Sequence, residues 1–289
     1  MVSMKTKVYF PGAYGVSSKQ ITSWYTRLLS SLNKTIEFVD DVRDCDYIIM
    51  QDQTDEDLPI NKKVIFFQKE PDHVMHYSYE RENLHKSFYH SKGDSWMIQT
   101  PWIGLTHDEL VALKPPTKKY ALSVVDSGRG VLEGHHHRLR ALQDILMQIP
   151  DIHFFGHITK GRENTGPFKT SLPPRAKESA FLEYKYAIAI ENGRTPHYFS
   201  EKIIDPMLCW TTPIYWGCSN IGKYFPEGSF IEIKDLDSGT GSQVASIIES
   251  QHYEENIDAL AEARDLILNK YNLIPTIEKA LISDNLWEE

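Results

Sequence analysis

Side chains able to do chemistry are densest between Ile190 and Ile204. There Glu191-Asn192-Gly193-Arg194-Thr195-Pro196-His197-Tyr198 leads into Ser200-Glu201-Lys202, with an apolar strand-like run before it and a helix-like run after it. A strand that opens into a loop and then a helix start gathers backbone N–H donors and the positive end of the helix macrodipole, which suits a phosphate group. Ser200 reads as the N-cap and Glu201 as a first-turn acid. The same residues also describe a plain capped helix after a polar loop, and spacing alone leaves both readings open.

Other groups invite similar questions. Phe66-Phe67-Gln68-Lys69-Glu70-Pro71-Asp72-His73 puts a carboxylate directly after a strand, with Asp72 and His73 as rivals to Glu70. His135-His136-His137 could ligate a metal, but consecutive helical side chains point about 100° apart and do not converge, so a solvated helix start is the better expectation. Trp96, Trp102, Tyr77 and Tyr79 could offer apolar faces to a sugar, although core packing is the default for aromatics.

Behind these groups the chain alternates short apolar runs with helix-like segments. Lys7–Phe10, Thr35–Val39, Tyr47–Met50 and Lys63–Phe67 read as strands around a helix over Ser18–Leu32, the rhythm of βαβ units and a parallel sheet. Lys114-Pro115-Pro116-Thr117-Lys118-Lys119 interrupts it, and its prolines and lysines predict a solvated linker. Alternation resumes with strands at Tyr120–Val125, Ile152–Gly156, Tyr186–Ile190, Thr212–Trp216 and Phe230–Ile233. Helices are expected over His137–Ile149, after Ser200 and through Val244–Leu281. The fold class is therefore α/β, with two Rossmann-like domains at 1–113 and 120–270 facing across a cleft, and a helical tail at 271–289.

Composition narrows the partners. With 31 Lys plus Arg against 40 Asp plus Glu the net charge is −9, which argues against a general grip on nucleic acid or an anionic membrane. An anionic ligand then needs a few placed cations. Cys45, Cys209 and Cys218 lack metal or disulfide spacing, the N-terminal residues do not form a signal peptide, and no apolar run approaches membrane-spanning length. A cytoplasmic location follows as the expectation.

The block singled out first resembles the α1,3-fucosyltransferases, glycosyltransferase family ten. That family's signature is Glu-Asn-Ser, a loop, Tyr-x-Thr-Glu-Lys, a helix, Pro-Val/Ile-x-x-Gly and Pro-x-x-Ser-Phe-Ile. It is matched by Glu191-Asn192-Gly193, Tyr198-Phe199-Ser200-Glu201-Lys202, Pro213-Ile214-Tyr215-Trp216-Gly217 and Pro226-Glu227-Gly228-Ser229-Phe230-Ile231. Upstream, Ser123–Ser127, Arg138-Leu139-Arg140 and Phe154-Phe155-Gly156 look like the family's strand, turn, Arg-bearing helix and next strand. The resemblance covers residues 120–237 well and is weak before the linker. Gly193 and Ser200 depart from the pattern, and Pro206 falls inside the expected helix, which must start late or kink.

The resemblance implies a GT-B fold and inverting transfer of fucose from GDP-fucose to a glycan hydroxyl, the 3-OH of N-acetylglucosamine or glucose. Another GDP-hexose donor, or a non-catalytic sugar-binding protein on the same scaffold, are the alternatives. Arg138 and Lys202 would stabilise the departing diphosphate, and Glu70 would be the base. Glu201, Asn192, Tyr198, Ser200, Ser127 and Gly156 would line the donor pocket, while Arg140, Arg194 and Lys185 read as surface cations. The partners implied are a GDP-sugar and an oligosaccharide acceptor, without nucleic acid or a transmembrane segment. No metal or other cofactor is implied, with Mn²⁺ at most stimulatory. Asp44-Cys45-Asp46 and Asp55-Glu56-Asp57 have the Asp-x-Asp form by which another glycosyltransferase class holds Mn²⁺, but they sit before a strand and in an acidic loop.

Overall fold

The computed structural model describes residues 5–29, 31–32, 35–71, 84–89, 103–128, 133–156, 169–170 and 176–283. Asp72, His73, Tyr77, Tyr79, Trp96 and Trp102 lie outside them. Strands β1 (Thr6–Tyr9), β2 (Ile36–Phe38), β3 (Tyr47–Gln51), β4 (Lys63–Phe67) and β5 (Leu84–Phe88) form a parallel sheet in the order β2-β1-β3-β4-β5. Helix α1 (Ser18–Leu29) makes the crossover that parallel β1 and β2 require. Both sheet faces are covered: Phe10, Ile49 and Ile65 pack into one core, and Tyr9, Ile48 and Phe66 into another. This explains why Ile48–Met50 and Val64–Phe67 are apolar at successive positions.

After α2 (His107–Ala112), a second parallel sheet follows. It is built from β6 (Tyr120–Val125), β7 (His153–Phe155), β8 (Lys169–Thr170), β9 (Tyr184–Ile190), β10 (Thr212–Trp216) and β11 (Ile231–Glu232), in the order β11-β10-β9-β6-β7-β8. Its helices are α3 (Glu133–Gln148), α4 (Glu201–Leu208), α5 (Thr240–Ile248), α6 (His252–Glu255) and α7 (Ile257–Asn269). In each sheet the strand order reverses once, between β1 and β3 in the first and between β6 and β9 in the second. Crossovers leave in opposite directions from such a point and open a crevice at the carboxyl ends of the two strands.

The cores interlock along the chain. Helix α8 (Leu273–Ile282) crosses back and buries Leu273, Ile274, Ile277 and Ala280 in the first core. Ile103 and Leu110 lie before the linker, yet they pack in the core of the second sheet, here the second core. Arg264 donates to the backbone carbonyls of Leu208 and Leu110, and the Trp210 indole donates to Leu113 O at 2.9 Å.

Three local expectations change. Lys118 is not a solvated linker residue: its ammonium reaches Leu182 O, Cys209 O and Thr211 Oγ1, each at 3.0 Å, and burial pulls its pKa down to about 7. Helix α3 starts at Glu133, earlier than expected, and the three histidines lie at its start; His136 is exposed there as expected, but His135 is buried. Helix α4 starts on time at Glu201 and carries Pro206 within its last turn, ending at Leu208, where the lost N–H costs only one bond of a short helix.

Candidate active site

Strand β9 delivers Glu191 to the β6/β9 crevice with no exposed surface. A bare buried carboxylate would be costly, and this one is satisfied by the start of the next helix. Its Oε1 accepts from Ser200 N and its Oε2 from the Ser200 hydroxyl, both at 2.7 Å. Ser200 Oγ also caps α4 by accepting from Lys202 N. The strand end and helix start are thus stapled together, and the staple aims α4's first turn into the crevice.

Lys202 Nζ lies 3.1 Å from Ser200 Oγ, 3.4 Å from Glu191 Oε2 and 3.5 Å from Glu201 Oε1. Burial disfavours its charge, but Glu201, Glu191 and Glu70 together outweigh that and raise its pKa. Burial likewise works to raise Glu201, yet Lys202 and Lys177 overcome it and bring the carboxyl down to about 2. Lys177 spans Glu201 at 3.7 Å and the buried Asp205 at 3.6 Å. Glu201 is therefore a fixed anion that can accept from hydroxyls and has no proton to exchange near neutral pH.

From the other side of the crevice, α3 brings Arg138. Its Nε donates to Asp126 Oδ2 at 2.5 Å and its Nη1 to Asn192 Oδ1 at 2.8 Å, while Nη2 has no hydrogen-bond partner among the described residues. Two arms of the guanidinium fork fix its plane and one remains for a ligand. Asp126 directly follows β6 and Asn192 closely follows β9, so Arg138 closes the crevice between the two strands. Close approach here requires glycine: a Cβ on Gly134 would sit 1.6 Å from Asn192 O, and one on Gly156 would sit 1.8 Å from Asp126 O.

The two lobes meet at Tyr198. This ring is buried, and its hydroxyl donates to Glu70 Oε2 at 3.4 Å. Burial, then the charges of Glu191, Glu70 and Glu201, push the phenol far above its ordinary pKa, so it stays a donor. Glu70 in turn is set by Asp52, whose Oδ1 accepts the backbone N–H of Lys69 and, at 3.3 Å, that of Glu70. Asp52 is buried and has φ +60, an uncommon conformation for a residue other than glycine.

Contacts thus gather these residues into three groups, Arg138 with Asn192, Glu70 with Tyr198, and Ser200 and Glu201 with Lys202, and the charges of Glu70 and Arg138 act on Lys202. Ser127 is exposed beside Asp126, and Gly156 packs behind Asp126 rather than opening into the crevice. Asp52, Asp126 and Lys177 were missed. The two aspartates follow strands, the same signal that singled out Glu70, whereas no pattern marked Lys177. The surface reading of Lys185 and Arg194 matches their ion pairs with Glu254 and Glu232. Among the described residues no group of three or more metal-ligating side chains converges. Asp46 is taken by Lys7 N, and Glu56 by Tyr9 and Gly12.

Residues 117–251, which include this crevice, match the model of the glycosyltransferase family 10 (fucosyltransferase) C-terminal region. The second lobe is a family 10 domain. A mimivirus protein described as a putative fucosyltransferase is 36% identical over 90 residues, which is 31% of this chain and 14% of that protein. The Helicobacter pylori α-(1,3)-fucosyltransferase is 37% identical over 60 residues, 21% of this chain and 13% of that one. An Arabidopsis thaliana α-(1,4)-fucosyltransferase is 30% identical over 168 residues, 53% and 39% respectively. The chain thus spans well under half the length of these family 10 relatives. Among solved structures, an α1,3-fucosyltransferase with GDP-fucose superimposes with a TM-score of 0.52 at 18% identity, covering 93% of this chain and 92% of that one. The DNA-modifying β-glucosyltransferase gives 0.55 at 13%, covering 97% and 100%. Both show the GT-B fold for the family 10 domain and its partner lobe together.

Proposed function

We propose that this protein transfers fucose from GDP-fucose to a hydroxyl of an oligosaccharide with inversion at the anomeric carbon, without needing a metal. The contact between Glu70 of the first lobe and Tyr198 of the family 10 lobe carries the reading, since it sets a carboxylate within reach of the cluster that would hold the donor. The donor diphosphate lies between Lys202 and the remaining arm of Arg138, with Asn192 and Ser200 beside it and Glu201 accepting from donor hydroxyls. Glu70 takes the proton of the acceptor hydroxyl as its oxygen bonds to the anomeric carbon. The bond from that carbon to the phosphate oxygen breaks on the opposite face, and GDP leaves with its charge matched by the two cations. The net charge of −9 makes these few placed cations decisive. The buried free thiols Cys45, Cys209 and Cys218 suit a reducing cytoplasm, and no helix among the described residues is long and apolar enough to cross a membrane.

The test is turnover with GDP-fucose, GDP-mannose and UDP-sugars on glucose- and N-acetylglucosamine-ended glycans, with and without EDTA. Transfer from GDP-fucose, unaffected by EDTA, is the expected result. Preference for another donor would replace fucose, tight GDP binding without transfer would make the protein a binding module, and loss in EDTA would overturn the metal-free mechanism.

A further inference from the structure

Two acids of α4, Glu201 and Asp205, stand four residues apart and so share one face of the helix, a turn from each other. Like charges at that spacing repel, and both side chains are largely out of water, Glu201 being 17% exposed and Asp205 1%. Relief comes from outside the helix. The short 3₁₀ turn Lys177–Ala180, which leads toward β9, puts the Lys177 ammonium 3.7 Å from Glu201 Oε1 and 3.6 Å from Asp205 Oδ2, within reach of both carboxylates. The turn itself is fixed. Ala180 and the adjoining Phe181 are buried in the second core, and Glu178 accepts from Gly104 N at 2.7 Å.

We infer that Lys177 is a positioning residue for donor recognition: held by Asp205, it keeps the Glu201 carboxylate ionised and in place to accept from hydroxyls of the nucleotide sugar. A buried carboxylate such as Asp205 is costly unless paired, and pairing holds the end of an otherwise flexible lysine stem. The same ammonium reaches Glu201, whose neighbour Lys202 is already divided among Ser200 Oγ, Glu191 and Glu201. The charges around Glu201 agree with this. Burial would raise its pKa, while Lys202, then Lys177 and, from the first lobe, Lys69 bring it down to about 2. Asp205 is the acid that faces Lys177 beside Glu201, and Glu191 and Glu70 act on Lys202. An ionised carboxylate accepts at both oxygens, whereas a protonated one turns one of them into a donor. Lys177 thus preserves the acceptor pair.

The inference rests on the donor role proposed for Glu201, so its test uses binding as well as turnover. Asp205→Asn serves as the reference, and Lys177→Met is added to it so that removing the lysine leaves no bare buried acid. GDP-fucose binding is measured by calorimetry from pH 5 to pH 8, and transfer kinetics are measured on the same proteins with an N-acetylglucosamine-ended glycan. Without Lys177 the Glu201 pKa rises, so a proton enters as pH falls. The double variant is expected to bind GDP-fucose about threefold more weakly than the reference at pH 8 and about tenfold or more at pH 5. KM for the donor should follow, with kcat changed by less than about twofold. A ratio that does not change with pH, an affinity equal to the reference, or a fall in kcat at unchanged KM would each overturn the role of Lys177. Donor binding that depends on Lys177 in this way, but with no transfer, would sink the enzymatic reading and leave the role standing. No GDP-fucose binding by the unaltered protein would overturn both.

Discussion

The base role proposed for Glu70 requires its carboxylate to be held toward the second lobe, and two neighbours do the holding. Tyr198 steadies the carboxylate, while Asp52 fixes the backbone beneath it. Glu70→Gln keeps the shape and removes the basicity, so turnover is expected to fall at least a hundredfold with GDP affinity nearly unchanged. Normal turnover in that variant would place the base elsewhere. Asp52 makes a prediction about stability. Burial pushes its carboxyl up to about 6, even though the Lys69 and Glu70 N–H groups and the Lys69 charge pull the other way. The folded state therefore binds this proton more tightly than the unfolded chain, whose aspartates titrate near 3.9. Its contribution to stability is full below about pH 4, is lost as pH rises to about 6, and is flat beyond. Asp52→Asn keeps an acceptor oxygen, tolerates a positive φ and carries no charge. It should be more stable than the unaltered protein at pH 8, on the order of 1–3 kcal/mol, with the gap closing toward pH 4 in urea titrations. A gap independent of pH would mean that the buried charge is not what costs stability.

At the scale of elements, the site depends on how closely α3 and β9 approach. A methyl group on Gly134 has no room beside Asn192 O, so Gly134→Ala must push the helix start off the strand end. Arg138 would move with it and lose Asn192. GDP affinity is expected to drop tenfold or more by calorimetry, with a smaller change in thermal midpoint, and unchanged affinity would show that Arg138 does not reach the nucleotide. Most of this scaffold was legible beforehand, because strands covered on both faces announce themselves as short apolar runs between helix-like segments. Ser200 and the first-turn Glu201 likewise marked the start of α4. What stayed hidden were partnerships set by tertiary packing. Lys118 looks like a solvated linker lysine until its ammonium is seen among three acceptor oxygens of the second lobe. Lys177 has no local signature, since Asp205 and Glu201 meet it only through the fold. Glu191 read as a polar loop residue, whereas it is the staple that holds strand and helix together.

Across the whole molecule, α8 is the piece that the first lobe borrows from the far end of the sequence. Ile277 has no exposed surface there, and Ile277→Ala should cost about 2–5 kcal/mol, read as a lower urea midpoint of the first lobe. GDP affinity, which the proposed function assigns to the second lobe, should change far less, and an equal loss in both would mean that the lobes unfold as one unit. The crossing is secured on both flanks. Thr35 donates to Glu278, 243 residues away, and Lys86 caps the end of α8 through Ala280 O at 2.9 Å and Ser283 O at 3.0 Å. This has a consequence for synthesis on the ribosome. The residues of the second core, Ile103 to Tyr271, all exist before Leu273 is added, whereas the first core lacks a helix until Ile282 has emerged. The lobe translated first is therefore completed last, and the face awaiting Leu273, Ile274 and Ile277 stays wet in the nascent chain.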